Sequence, residues 1–256
     1  MVVATMSTET RSQIHTERGA KRVRAVLGGK VIADTTRPLL VWEIPYYPTY
    51  YLPPEDVVDG VLVETQATKD SARLGTAKVY DVRVDGRKAD GAAVVYPDSP
   101  VEALRDHVRL DFAAMDMWFE EDEEVFVHPR DPHKRVDILA SSRHVRIEVD
   151  GVTVADSHNP RLLFETGLPT RYYLPKTDVR IDLLEPSDTI TRCPYKGEAE
   201  YYSVRAGGTL HENLAWYYRM PVPESQKVQG LVCFYDEKVD VFVDGVKQER
   251  PSTPFS

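Results

Sequence analysis

The chain has 256 residues, 42% of them hydrophobic, and a formal net charge of −9. That apolar share builds a real core and excludes a disordered protein, while the acidic balance argues against nucleic acid or anionic membrane as partners. No apolar run approaches the ~20 residues of a membrane-spanning helix, and two cysteines without an export signal point to a reduced cytoplasmic setting.

Residues 1–19 are mostly polar after a brief apolar start and read as a disordered tail. From Val23 the chain runs VRAVLGGKVIADTTRPLLVWE, and from Val145 it runs VRIEVDGVTVADSHNPRLLFE. Set over one another at an offset of 122 residues, Val23/Val145, Gly29/Gly151, Asp34/Asp156, Pro38/Pro160 and Glu43/Glu165 are identical. The offset carries YYLPPEDV onto YYLPKTDV, then pairs Gly75/Gly197, Tyr96/Tyr218 and Phe112/Phe234. A tandem duplication follows, with copy one at 20–128, a linker at 129–142, copy two at 143–248 and a tail at 249–256. In this alignment AAMDMWFEEDEE of copy one is six residues longer than YDEKVD of copy two, and VFV at Val125 faces VFV at Val241.

Local pattern says β. VRVDGR turns at Asp85-Gly86, VRIEVDGVTV at Asp150-Gly151 and VDVFVDGVK at Asp244-Gly245. Each is a hairpin signal, because glycine accepts the positive φ of a two-residue turn. Scattered prolines limit helices to short pieces, such as the acidic stretch Ala113–Glu124. The expected fold is mainly β: two small antiparallel domains with few short helices.

The linked motifs GVTVADSHNPRLLFETGLPTRYYLP, CPYKGEAEYYSV, LAWYY and GLVCFYDEKVDVFVDG resemble the bacterial family of domain of unknown function 427, in two-copy form. The resemblance covers nearly all of the chain outside the tails. It implies a compact β-tent-like domain, the class that includes methionine sulfoxide reductase B. Many β-tent proteins hold a zinc on two Cys-x-x-Cys knuckles, and such a site needs four soft ligands. This chain has two cysteines forty residues apart, so a knuckle is excluded and no metal or cofactor is expected. A nucleotidyl-transfer label attached to the family finds no support here: there is no Gly-Ser with paired aspartates and no G-x-x-x-x-G-K loop.

Candidate chemistry concentrates in copy two. Glu165 closes the apolar run RLLFE and needs a partner, for which Arg146, Arg171 and Lys196 are at hand. It reads as a pocket acid or base, or as half of a structural ion pair, since Glu43 holds the matching place in copy one. Cys193 sits three residues before Lys196, which would supply positive potential to a nucleophile; a buried inert thiol is the rival reading. Copy one has Ser71 and Leu74 at these positions, and Val94 and Val95 where copy two has Trp216 and Tyr217. The candidate catalytic residues are therefore Glu165, Lys196 and Cys193. The candidate ligand contacts are Arg171, Tyr173, Tyr195, Tyr202 and Trp216, with His128 and Arg130 from the linker region.

Histidines His128 and His133 flank Asp131, but no further ligand is identifiable, and Glu120–Glu124 reads as a solvated face. The expected function is a small-molecule pocket in copy two or at the domain junction, as an enzyme on a small polar or anionic metabolite. The alternatives are a non-catalytic binding module and a structural unit that oligomerises through tyrosine-rich faces.

Overall fold

The computed structural model describes residues 14–253, which form two compact units divided at Arg130/Asp131. Both are mainly β, joined by short 3-10 turns, and no helix among the described residues is long and apolar enough to cross a membrane.

Both units share a four-stranded sheet of the same order. In the first unit a four-stranded sheet runs Glu123–Glu124, Met117–Glu120, Val23–Leu27, Lys30–Thr35; in the second it runs Val246–Lys247, Asp240–Val243, Val145–Val149, Val152–Ser157. Strand Val145–Val149 shows the cause. Val145, Ile147 and Val149 are buried while Arg146 and Glu148 are half-exposed, so the period-two pattern turns one face to the core. Its hairpin turn has positive φ at both Asp150 and Gly151, as a tight two-residue turn requires.

The second sheet of the first unit has seven strands, ordered His15–Arg18, Leu39–Trp42, Thr49–Leu52, Val108–Leu110, Arg87–Val95, Gly75–Val84, Leu62–Ser71. In the second unit the corresponding strands form a three-stranded and a four-stranded sheet, linked by the bridge Leu174–Val232. Apolar clusters lie on both faces of these strands in each unit.

Strand pairing corrects the expected boundaries. His15–Arg18, expected in the tail, pairs with Leu39–Trp42, and Val136–Ala140, expected in the linker, pairs with Arg161–Glu165. His15↔Trp42 and Asp137↔Phe164 are the same ladder position in the two units. HTER and VDILA share no residues at matched positions, so only the backbone ladder reveals this strand. Residues 1–13 of the expected tail lie outside the described residues.

The late part of the alignment also changes. Val94↔Arg109 in copy one corresponds to Trp216↔Cys233 in copy two, which matches Leu110, not Phe112, to Phe234. Copy two has gained two residues between these strands. Trp118↔Ala25 corresponds to Val241↔Ile147, so Met117–Glu120 is the counterpart of Asp240–Val243. There is no six-residue insert, and VFV at Val125 is not the counterpart of VFV at Val241. Of the expected helix over Ala113–Glu124 only the turn Phe112–Ala114 forms; Met117–Glu120 and Glu123–Glu124 make a hairpin.

Candidate functional site

Glu165, Lys196 and Cys193 come together in the second unit. Gly197 ends the turn at φ 97°, a conformation that L side chains rarely adopt, and an added Cβ would meet the backbone nitrogen of Val222 at 3.3 Å. This turn carries Lys196 back over the sheet, where its Nζ donates to Glu165 Oε2 at 2.5 Å. Both side chains are largely buried, at 13% and 10% exposure. Burial pulls the Lys196 ammonium down, but the neighbouring Cys193 sulfur and Glu165 carboxylate outweigh it and hold the group above its ordinary value. Lys196 thus meets both Glu165 and Cys193.

Trp216 lies in the adjoining aromatic layer. Its indole nitrogen donates to the Tyr173 hydroxyl at 3.2 Å, and Tyr173, Trp216, Tyr218, Tyr201 and Cys233 form one buried cluster. Burial pushes the Tyr173 and Tyr218 hydroxyls and the Cys233 thiol well above their ordinary values, so all three are neutral. Tyr195 is used differently. Its hydroxyl accepts from the backbone N–H of Asp131 at 2.7 Å and pins the start of the unit. Tyr202 and Tyr217 do not join the layer, because alternation along the strand sends them to the opposite face. There they stack on each other at 5.0 Å, with the Lys176 ammonium 4.0 Å from the Tyr217 ring.

Arg171 does more than the sequence signalled. Its guanidinium makes a bidentate pair with Glu237 at 2.8 and 2.5 Å, lies 3.5 Å from Asp236, and sits 5.7 Å from the Trp216 ring centre. Thr253 Oγ1 donates to the same Glu237 at 2.6 Å. Asp236 and Glu237 are 7% and 2% exposed. Burial pushes the Asp236 carboxyl up to about 7, because Arg171 spends its fork on Glu237 and only partly offsets the loss of water. The bonds from Arg171 and Thr253 outweigh burial for Glu237 and hold it down at about 2. Asp236 and Glu237 were absent from the sequence expectation. The signal that could have found them is the polar end of the otherwise apolar run VCFYDEK.

The first unit has the same frame with different contents. Glu43, the counterpart of Glu165, accepts from the Tyr51 hydroxyl at 3.0 Å and lies 3.3 Å from Arg109 Nε. By strand register Arg109 stands where copy two has Cys233, and Leu74 stands where copy two has Lys196. The carboxylate is thus met by a cation in both copies, from a different strand each time.

The first unit also contains a cavity of about 210 Å³, lined by Tyr47, Tyr50, Arg109, Phe112, Trp118 and His128 among others. His128, expected to serve copy two, stacks on Tyr47 here at 3.8 Å, and Arg130 lies 3.6 Å from Glu123. Thr49 and Ala113 also line the cavity. Strand register matches Thr49 to Arg171, and the turn bonds Ala114 N→Asp111 O and Lys238 N→Tyr235 O match Ala113 to Glu237, so the bidentate pair of copy two occupies the place that copy one leaves open. Phe112 likewise stands at the position of Asp236.

Residues 15–121 and 137–245 each match the family described as Domain of unknown function (DUF427). No curated protein matches the chain.

Proposed function

Because the chain belongs to the DUF427 family as a two-copy member, and that family's description names no activity, we propose from its geometry that it binds a small ring-bearing molecule in the copy-one cavity. The supporting observation is the open cavity at a position that the Arg171–Glu237 pair fills in copy two. A volume of about 210 Å³ is below the ~300–1,000 Å³ of drug-sized sites, so the ligand is a single ring or smaller. Tyr47, which stacks on His128, and Phe112, which stacks on Trp118 at 5.1 Å, give the cavity an aromatic lining suited to a ring. The Arg109 guanidinium supplies the charge for a carboxylate or phosphate on that ring.

In this reading copy two is the closed counterpart and its polar groups hold the fold. Lys196–Glu165 and Arg171–Glu237 are braces, and the protein is a binder rather than a catalyst. The free thiols Cys193 and Cys233 accord with a reducing cytoplasm.

The test is a thermal-shift and NMR titration with a panel of single-ring carboxylates and phosphates. The paired change Thr49→Arg/Ala113→Glu installs the copy-two plug. Binding by the wild-type chain that is lost in the plugged chain supports the reading. Binding that survives the plug, or is lost on Glu165→Gln in copy two, contradicts it.

A further inference from the structure

Copy two carries a second cluster, on the sheet of Val145–Val149 and Val152–Ser157, that neither the cavity nor the two braces use. His144 precedes strand Val145–Val149, and Asp156 and His158 lie at the end of the neighbouring strand Val152–Ser157. Antiparallel pairing of Val145 with Ser157 brings all three to one edge. His144 Nε2 is 2.6 Å from Asp156 Oδ1, and the two imidazoles stack at 4.2 Å with their planes 12° apart. One ligating atom from each residue falls within 4.8 Å of the others.

The internal repeat says what changed. Copy one keeps the carboxylate as Asp34 in the same register, Val23 opposite Thr35. There Arg22 occupies the position of His144 and Thr36 that of His158. Arg22 Nε donates to Asp34 Oδ1 at 2.7 Å, and its other nitrogen bonds the second oxygen, an ordinary surface ion pair. A guanidinium has no lone pair to give a metal, and threonine is a poor ligand. Copy two has replaced both by imidazoles around the retained carboxylate. Neighbouring cations have other partners: Arg143 is held by Asp244 at 2.7 Å, and Arg146, opposite Asp156 on the ladder, pairs with Glu148.

We propose that His144, Asp156 and His158 bind a first-row divalent cation of the zinc class. Two imidazole nitrogens and one carboxylate oxygen suit Zn²⁺, Ni²⁺ or Cu²⁺ rather than Mg²⁺ or Ca²⁺, which take oxygen ligands. Three protein ligands at an exposed edge leave the remaining positions to water. The cation draws the His144 ring away from its direct bond to Asp156 and enters between them.

The test is a calorimetric titration of the untagged full chain with Zn²⁺, and separately with Mg²⁺. The expected result is one Zn²⁺ per chain, no saturable Mg²⁺ binding, and Zn²⁺ affinity weakened at least tenfold by His158→Ala. His144→Arg restores the copy-one ion pair, so it keeps the fold while removing a ligand, and it weakens binding equally. His211→Ala, which removes a histidine bonded to Asp150 at 2.9 Å elsewhere, leaves binding unchanged. Wild-type affinity in His158→Ala and His144→Arg, or no one-site Zn²⁺ binding by the wild-type chain, overturns the assignment.

Discussion

The two copies solve one packing problem in opposite ways. At the edge of the aromatic layer, copy one places Thr49, Ala113 and Phe112 and leaves a cavity; copy two places Arg171, Glu237 and Asp236 and fills that spot. A polar pair buried there must be complete to be tolerated, since an unpaired buried charge costs several kcal/mol. Added chemistry is therefore not the same as added function. The half that places Arg171, Glu237, Lys196 and Trp216 where the other has Thr49, Ala113, Leu74 and Val94 is the half whose groups satisfy one another.

The most severe challenge to this contrast is to unplug copy two. Arg171→Met strands Glu237 without its bidentate partner and is expected to destabilise the second unit by about 3–5 kcal/mol, read by urea denaturation with hydrogen exchange to localise the loss. A change below about 1 kcal/mol would mean that the pair is dispensable.

A second challenge moves a cation between strands. Lys196→Leu leaves Glu165 unpaired and is expected to cost about 3 kcal/mol. Adding Cys233→Arg and Trp216→Val rebuilds the Leu74, Arg109 and Val94 arrangement of copy one around the retained carboxylate. The triple variant is expected to be more stable than the sum of its parts, a coupling that a thermodynamic cycle measures. Simple additivity would show that the two carboxylates do not share a role.

The third concerns pH. Folded Asp236 keeps its proton up to about pH 7, whereas an unfolded aspartate releases it near ~3.9. Between those values the native state binds the extra proton, so the second unit loses stability as pH rises and levels off above 7. The loss is on the order of 2–4 kcal/mol. Glu237 acts the other way: its contribution is present above the ordinary glutamate range and is lost as pH falls toward 2. Asp236→Asn should flatten the profile between pH 4 and 7, and an unchanged slope would remove Asp236 as its source. Copy one has Phe112 at this position and should show no such slope.

The duplication was legible because aligned identities and Asp-Gly turns survive in the sequence, and the mainly β fold followed from alternation and those turns. The strands His15–Arg18 and Val136–Ala140 were not, since a ladder is made by backbone groups that any residue supplies. The repeated string VFV misled the end of the alignment, where strand pairing, not letter identity, sets correspondence. The Glu165–Lys196 contact was among the partners that the sequence offered. The cavity was not legible. It arises from what is small, Thr49 and Ala113, and small residues leave no mark in a search for added chemistry.

The smallest expected change in stability, about 1 kcal/mol, belongs to Thr49→Arg/Ala113→Glu, because each charge arrives with its partner, and it carries the largest consequence for binding. The most direct measurement follows the three tryptophan indole N–H signals by NMR during titration with the ring-carboxylate and ring-phosphate panel. Trp118 lines the copy-one cavity and donates to the Phe112 carbonyl at 3.0 Å, while Trp216 sits in the copy-two layer. Binding in copy one moves the Trp118 signal and leaves Trp216 in place, and the plugged variant shows neither signal moving. A ligand that moves Trp216 and leaves Trp118 unchanged would contradict the assignment of the site to copy one.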